Sequence, residues 1–189
     1  SILITNFNKD KYLSDAVKSC LAQNYKKKEI LIFDDKSTDN SLKILKKYKK
    51  IKVLINKKKK FASGPLNQIN GIKELFKKSK GEVIFLLDSD DFFKKNKIKN
   101  IMNLYSKDKN LNFIQDIPYS AKDKRTIKLK YKNHFFSIWP SFYPTSTISV
   151  RKEFFLKFLN YLEPKKFPNL EIDARLCMFA FLSKSFMIY

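Results

Sequence analysis

Glycine is scarce, with three residues in 189, at positions 64, 71 and 81. No pair has the separation needed for GxGxxG or for GxxxxGK[ST], so neither the dinucleotide fingerprint nor the phosphate loop is present. Histidine and cysteine are scarcer: His134, Cys20 and Cys177 cannot supply the four ligands of a zinc finger or zinc ribbon. The two cysteines follow no disulfide-framework spacing and read as reduced thiols filling the core of a cytoplasmic chain. Long apolar runs are missing too. Nothing approaches the roughly 18–20 residues of a membrane helix, and the longest uncharged stretch, 133–150, is interrupted by Pro140 and Pro144. With no signal peptide and no initiating Met, the chain is expected to be soluble or peripheral, and an excised or C-terminally truncated domain.

Arginine is the fourth shortage. Of forty basic residues only Arg125, Arg151 and Arg175 are arginine, although the formal net charge is +22. Base readout and bidentate phosphate recognition favour arginine, so no specific nucleic-acid partner is expected. An A/T-rich coding sequence accounts for the abundance of Lys, Ile and Asn, and attraction to an anionic membrane surface is a secondary consequence. What the chain does have is apolar side chains: 43% are hydrophobic and 15% aromatic, enough to bury a core in one domain spanning 1–189.

Apolar periodicity predicts alternating elements. Strands are expected at Ile2–Thr5, Glu29–Phe33, Ile51–Ile55 and Val83–Leu87, and helices at Tyr12–Leu21, Leu42–Tyr48 and Leu66–Phe76, with Ser37, Thr38 and Asp39 capping the second helix. Strand and helix alternating four times implies a doubly wound, mostly parallel α/β sheet. Further on, a helix is expected at Ile98–Tyr105, strands at Leu111–Ile114, Thr126–Tyr131 and Ile148–Val150, and helices at Glu153–Leu162 and Leu170–Leu182.

The informative residues are the acidic ones. Asp34 and Asp35 follow the second predicted strand, and Asp88, Asp90 and Asp91 follow the fourth. Ligands of open α/β sheets bind outside the carboxyl ends of the strands, which places both clusters on one rim. Three carboxylates within four residues repel one another, and a hard divalent cation, Mg²⁺ or Mn²⁺, completed by diphosphate oxygens relieves that repulsion. The alternative is that these aspartates make loop turns and cap the next helix, which for Asp91 is an equally good account.

Residues 1–45, from SILITNFNKDKYL through IFDDKSTDNSLKIL, resemble the opening of family 2 glycosyltransferases of the GT-A fold, and GEVIFLLDSDDFF, residues 81–93, resembles their metal-binding DxD segment. The resemblance implies a GT-A, Rossmann-like domain with a nucleotide-sugar-binding half, 1–93, and an acceptor-side half, 94–189. It implies a base pocket containing Thr5 and Phe7, a hydrogen bond from the base to Asp35, Asp90 as direct metal ligand, and Asp88 at the ribose or at the metal through water. NLEIDARL, residues 169–176, resembles the ED-x-x-L segment; matching Leu176 makes Asp173 the general base, with Ile172 in place of the preceding Glu and Glu171 as second candidate. TSTISVRKEFF, residues 145–155, resembles the segment that follows the acceptor side. The segment FASGPLNQINGI departs from the family's more glycine-rich loop, which leaves the donor open.

The expected activity is therefore inverting, metal-dependent transfer from a nucleoside-diphosphate sugar, UDP-linked in the first instance, to a hydroxyl of a glycan or lipid-linked acceptor in cell-surface polysaccharide synthesis, at the cytoplasmic face of a membrane. His134, Phe135, Phe136, Trp139, Phe142 and Tyr143 offer either an acceptor face or core packing. Two other classes fit parts of the pattern. A haloacid-dehalogenase-type phosphatase would use Asp88 as nucleophile, but Phe92 stands at the Thr or Val position of its motif and nearly half the chain precedes it. A receiver domain would not have a complete β–α unit before its Asp pair. A basic nucleic-acid-binding module is the non-enzymatic alternative.

Overall fold

The structure is a computed structural model and describes residues 1–127 and 142–189. In chain order the first half contains β1 (Ile2–Asn6), α1 (Asp10–Leu21), β2 (Ile30–Asp34), α2 (Ser41–Leu45), β3 (Lys52–Ile55), α3 (Gly64–Lys78) and β4 (Val83–Asp88). The second half contains α4 (Lys97–Lys107), β5 (Phe113–Gln115), β6 (Tyr119–Ser120), β7 (Arg125–Thr126), β8 (Ile148–Arg151), α5 (Lys152–Tyr161), α6 (Ile172–Leu182) and β9 (Phe186–Ile188). Among the described residues seven strands form one sheet in the order β3-β2-β1-β4-β8-β5-β9, and β6 pairs with β7 in a separate two-stranded ribbon.

The central strands are apolar on both faces because helices cover both. Leu3, Leu31, Phe33, Ile84 and Leu86 face a cluster shared with α3, α5 and α6. Their neighbours Ile2, Ile4, Ile30, Ile32, Phe85 and Leu87 face the opposite cluster, which includes residues of α1, α2 and α4. This is why β1, β2 and β4 read as continuous apolar runs rather than alternating ones. Each fully buried Leu or Ile contributes about 1.5–3 kcal/mol, so the two layers fix strand register as well as fold. On the first face α3 lies close against β2: a Cβ added at Gly71 would meet Phe33 Cδ1 at 2.7 Å.

Strand direction positions the site. β1 runs parallel to β2 and β4, and β2 parallel to β3. β8 is antiparallel to both β4 and β5, so β5 again runs with β4, and β9 is parallel to β5. Among the described residues only β8 opposes the rest of the sheet, and the other six strands bring their carboxyl ends to one rim.

Several elements differ from the sequence expectation. The strand expected at 126–131 is represented by Arg125–Thr126, which closes a short ribbon with Tyr119–Ser120, and 128–131 lie outside the described residues. The expected second helix is only five residues, Ser41–Leu45, and Asn40 rather than Asp39 is its N-cap. β9 was not foreseen as a strand; its apolar Phe186–Ile188 completes the sheet beside β5. Both cysteines are buried free thiols, and burial pushes the Cys20 thiol up to about 12, which agrees with a packing role.

Candidate active site

Two left-handed residues shape the rim. Asn8 at φ 51° follows β1 and Lys36 at φ 56° follows β2. Asn tolerates this conformation, whereas a lysine there costs about 1–2 kcal/mol. The turn at Lys36 separates the roles of the two adjacent aspartates. Asp34 is fully buried and accepts from Asn6 Nδ2 at 2.8 Å, Ser37 N at 2.9 Å and Ser37 Oγ at 2.7 Å, which makes it a structural clamp between β1 and β2. Asp35 instead points into a cavity, where it accepts from Asn56 Nδ2 at 2.6 Å and lies 3.6 Å from Lys60 Nζ.

The remaining residues of the D-D-x-S-T-D segment bind the first two βα loops together. Ser37 Oγ accepts from Asn8 N, Asn8 Oδ1 accepts from Thr38 N at 2.8 Å, and Asp39 accepts from both Asp10 N and Ser41 N at 2.9 Å. Ser37 and Thr38 therefore brace the β1–α1 loop, and of the three expected capping side chains only Asp39 reaches an N–H of α2.

Thr5, Phe7, Asp35, Asp88 and Asp90 all line one cavity of about 740 Å³, together with Lys9, Lys60, Gln68 and Glu171. The volume is of the size that holds a nucleotide-sized ligand. Phe7 presents about half its surface at the rim, and Gly64 and Pro65, the first residues of α3, also line the cavity.

At the tip of β4 the acids are held apart by different partners. Asp88 Oδ1 accepts from Gln68 Nε2 at 2.7 Å, and Asp88 N donates to Ser146 Oγ at 3.0 Å. Burial, with the charges of Asp91, Asp90 and Asp173, pushes the Asp88 carboxyl up to about 7. Asp90 Oδ2 receives Lys9 Nζ at 2.6 Å in a half-exposed ion pair. Asp91 faces a second cavity of about 860 Å³, which Asp90, Lys97, Asp116, Tyr119 and Tyr143 also line. Its N–H donates to Asp88 O, and Asn96 is the N-cap of α4, so Asp91 does not cap that helix.

Among the described residues no three Asp, Glu, His or Cys groups converge into a ready cation cage. One or two carboxylates suffice for a cation that takes its remaining ligands from diphosphate and water. Asp88 and Asp90 fit that requirement: the first is destabilised as an anion by burial and by three neighbouring acids, and the second already binds a cation, the Lys9 ammonium.

The two base candidates lie at the start of α6 but in different surroundings. Glu171 is the N-cap, exposed, and lines the first cavity. Asp173 is 95% buried, accepts from Ala174 N at 2.6 Å and Thr145 Oγ1 at 3.4 Å, and its carboxyl is raised, chiefly by burial. It is close enough to Asp88 for their charges to act on each other. Arg175 does not pair with it; that guanidinium donates to the carbonyls of Leu170, Pro164 and Phe167. Of the aromatic residues at 134–143, Tyr143 is buried at the second cavity and Phe142 packs partly against the core. His134, Phe135, Phe136 and Trp139 lie outside the described residues.

Sequence reasoning missed Gln68, Lys9 and Lys60. Lys9 carried a signal in its position just after Thr5 and Phe7 in the family-like opening segment; Gln68 and Lys60 carried none, because only the packing of α3 and its preceding loop brings them to the acids.

A mostly parallel sheet with one reversed strand, and a nucleotide-sized cavity at its carboxyl rim edged by D-S-D-D, defines an α/β domain of the GT-A type. The chain belongs to glycosyl transferase family 2, whose sequence profile matches residues 1–185. Over 111 residues it is 35% identical to the Escherichia coli UDP-Glc:α-D-GlcNAc-diphosphoundecaprenol β-1,3-glucosyltransferase WfaP, covering 58% of this chain and 42% of that protein. Among solved structures, Staphylococcus aureus TarS residues 1–349 in complex with UDP superimposes with a TM-score of 0.70 at 16% identity, over 100% of this chain and 56% of that one. The mannosyltransferase PcManGT of Pyrobaculum calidifontis, in complex with GDP-Man and Mn²⁺, superimposes with a TM-score of 0.65 at 9% identity, over 100% and 55%. Matches to the curated relatives span between 16% and 42% of their lengths. Among the described residues no helix is long and apolar enough to cross a membrane.

Proposed function

We propose that this domain transfers a sugar from a nucleoside diphosphate, UDP in the first instance, to a hydroxyl of a glycan or lipid-linked acceptor with inversion at the anomeric carbon. The observation that carries the reading is the convergence of Phe7, Asp35 and Asp90, contributed by three different strand ends, on one cavity of about 740 Å³. Phe7 stacks on the base, Thr5 closes the pocket beneath it, and Asp35, held by Asn56, accepts a base N–H. Asp90 is the direct ligand for Mg²⁺ or Mn²⁺, and Asp88 holds the ribose or reaches the metal through water. When bound, such a cation supplies Lewis-acid neutralisation of the diphosphate charge.

The protein's own part is binding, orientation and one proton transfer. Gln68 fixes the Asp88 carboxylate, and the first turn of α3 offers its N-terminal dipole to the diphosphate. A hydroxyl far above neutrality in pKa needs a carboxylate within about 2.6–3.2 Å as it attacks the anomeric carbon. Asp173 takes that proton. Its burial raises its proton affinity, which suits a base working near neutral pH, and the family's ED-x-x-L segment ends at Leu176. The acceptor enters from the second cavity, which adjoins the first at Asp90. A lipid-linked acceptor is supported by the one named for WfaP, and contact with an anionic membrane surface by the abundance of lysine.

A thermal-shift screen of UDP, GDP, CDP and dTDP with and without Mn²⁺ tests the reading. Metal-dependent stabilisation by one of them is expected; no stabilisation by any would overturn it.

A further inference from the structure

The slot assigned to the nucleobase is held by a side chain of the protein itself. Lys60 Nζ lies 3.2 Å from the centroid of the Phe7 ring and 3.6 Å from Asp35 Oδ2. These are the two groups that stack on and hydrogen-bond the base, so a base and the Lys60 ammonium cannot occupy the space between them together. The backbone on either side of Lys60 is pinned. Lys58 N donates to Asn56 Oδ1, while Asn67 accepts from Phe61 N and donates to Phe61 O and Ser63 O. What remains free to move is the four-carbon side chain, whose reach of several ångströms lies within the same cavity.

A neutral nucleoside that displaced this ammonium would break its contacts with the ring and with Asp35 and return no charge to it. A ligand carrying a diphosphate offers anionic oxygens in the same cavity to receive it. We propose that Lys60 is a specificity-determining residue for the donor: it closes the base slot against ligands without phosphate and pairs with the diphosphate of those that carry one. The proposal rests on the donor-site reading above, and it selects nucleoside diphosphates and their sugars over nucleosides and bases.

The test measures uridine and UDP binding, each with Mg²⁺, to the wild-type chain and to Lys60→Ala, Lys60→Met and Lys60→Arg. Removing the ammonium should tighten uridine about five- to tenfold and weaken UDP by a similar factor, so the ratio of UDP to uridine affinity falls on the order of 25–100-fold. Lys60→Met should behave like Lys60→Ala, and Lys60→Arg should keep a ratio near the wild-type one. A ratio within threefold of wild type in both Lys60→Ala and Lys60→Met overturns the proposal, because general damage to the site weakens both ligands alike. Failure of the wild-type chain to bind UDP at all would instead count against the donor site itself.

Discussion

Gln68 Nε2 donates a 2.7 Å hydrogen bond to Asp88 Oδ1, tying α3 to the tip of β4 across the mouth of the cavity. It is the favourable contact of an unfavourably placed acid. Burial comes first, followed by repulsion from Asp91, Asp90 and Asp173, and together they raise the Asp88 carboxyl from 3.8 to about 7 against the pull of that hydrogen bond.

The sign of the consequence follows from proton linkage. With its folded pKa above the unfolded one, Asp88 is protonated in the folded chain while already ionised in the unfolded chain between pH 4 and 7. Its contribution to stability therefore falls as pH rises through that window and is least favourable above it. Asp88→Asn cannot ionise and escapes the penalty. An upward shift of about three units corresponds to roughly 4 kcal/mol, so the variant should be more stable than wild type at pH 8 by up to that amount and no more stable at pH 3.5. Urea unfolding at the two pH values checks it; equal differences at both would contradict the burial account.

Lys9 occupies Asp90 as a cation already present in the chain. A divalent ion binding at Asp90 has to displace it. The pair is about 40% exposed on each side and is worth at most about 1 kcal/mol, so Lys9→Met should tighten Mn²⁺ binding in the absence of nucleotide by about fivefold. Mn²⁺ electron paramagnetic resonance reads this directly. Unchanged affinity would mean that the metal binds without Asp90.

The rim was legible in the sequence because continuous apolar runs identify strands buried on both faces, and the acids that follow such runs must lie at carboxyl ends. That logic placed Asp34, Asp35, Asp88, Asp90 and Asp91 on the rim, and the family resemblance singled out Asp35. The apolar pattern alone could not tell Asp34 from Asp35, since the inward and outward directions are decided by the left-handed turn at Lys36 and by the Asn6 and Ser37 hydrogen bonds. Gln68 and Lys60 were illegible because their partners are 20 and 25 residues away in sequence, with no local periodicity to mark the encounter. β9 is three residues long, too short for a period, and exists because β5 offers it an edge.

Lys97 and Asp116 form another charged contact that sequence could not show. Lys97 Nζ meets Asp116 Oδ1 at 2.6 Å, donates to Ser146 O at 2.7 Å and lies over the Phe93 ring. Burial lowers the Lys97 pKa and raises that of Asp116, so both carry a desolvation cost that their pairing helps to offset. Asp116→Ala leaves an ammonium buried without its partner and should destabilise the chain by about 3–5 kcal/mol, whereas Lys97→Met combined with Asp116→Leu should be close to wild type. Chemical denaturation of the two variants separates these outcomes; equal losses would show that the pair holds the rim through geometry rather than charge.

Asp173 and Glu171 divide the possibilities for the base by burial and position. A general base contributes about 10²–10⁴-fold, so Asp173→Asn should lower kcat by about three orders of magnitude with donor binding unchanged. Glu171 lines the donor cavity as an exposed side chain, and Glu171→Gln should leave kcat within about tenfold of wild type while changing the KM for the donor. The pH profile adds an independent check. Because burial raises the Asp173 carboxyl, kcat at saturating donor and metal should show an acidic limb above the ordinary carboxylate range that vanishes in Asp173→Asn. A limb that survives in Asp173→Asn and is lost in Glu171→Gln would transfer the proton-accepting role to Glu171, and with it the side of the cavity from which the acceptor hydroxyl must approach.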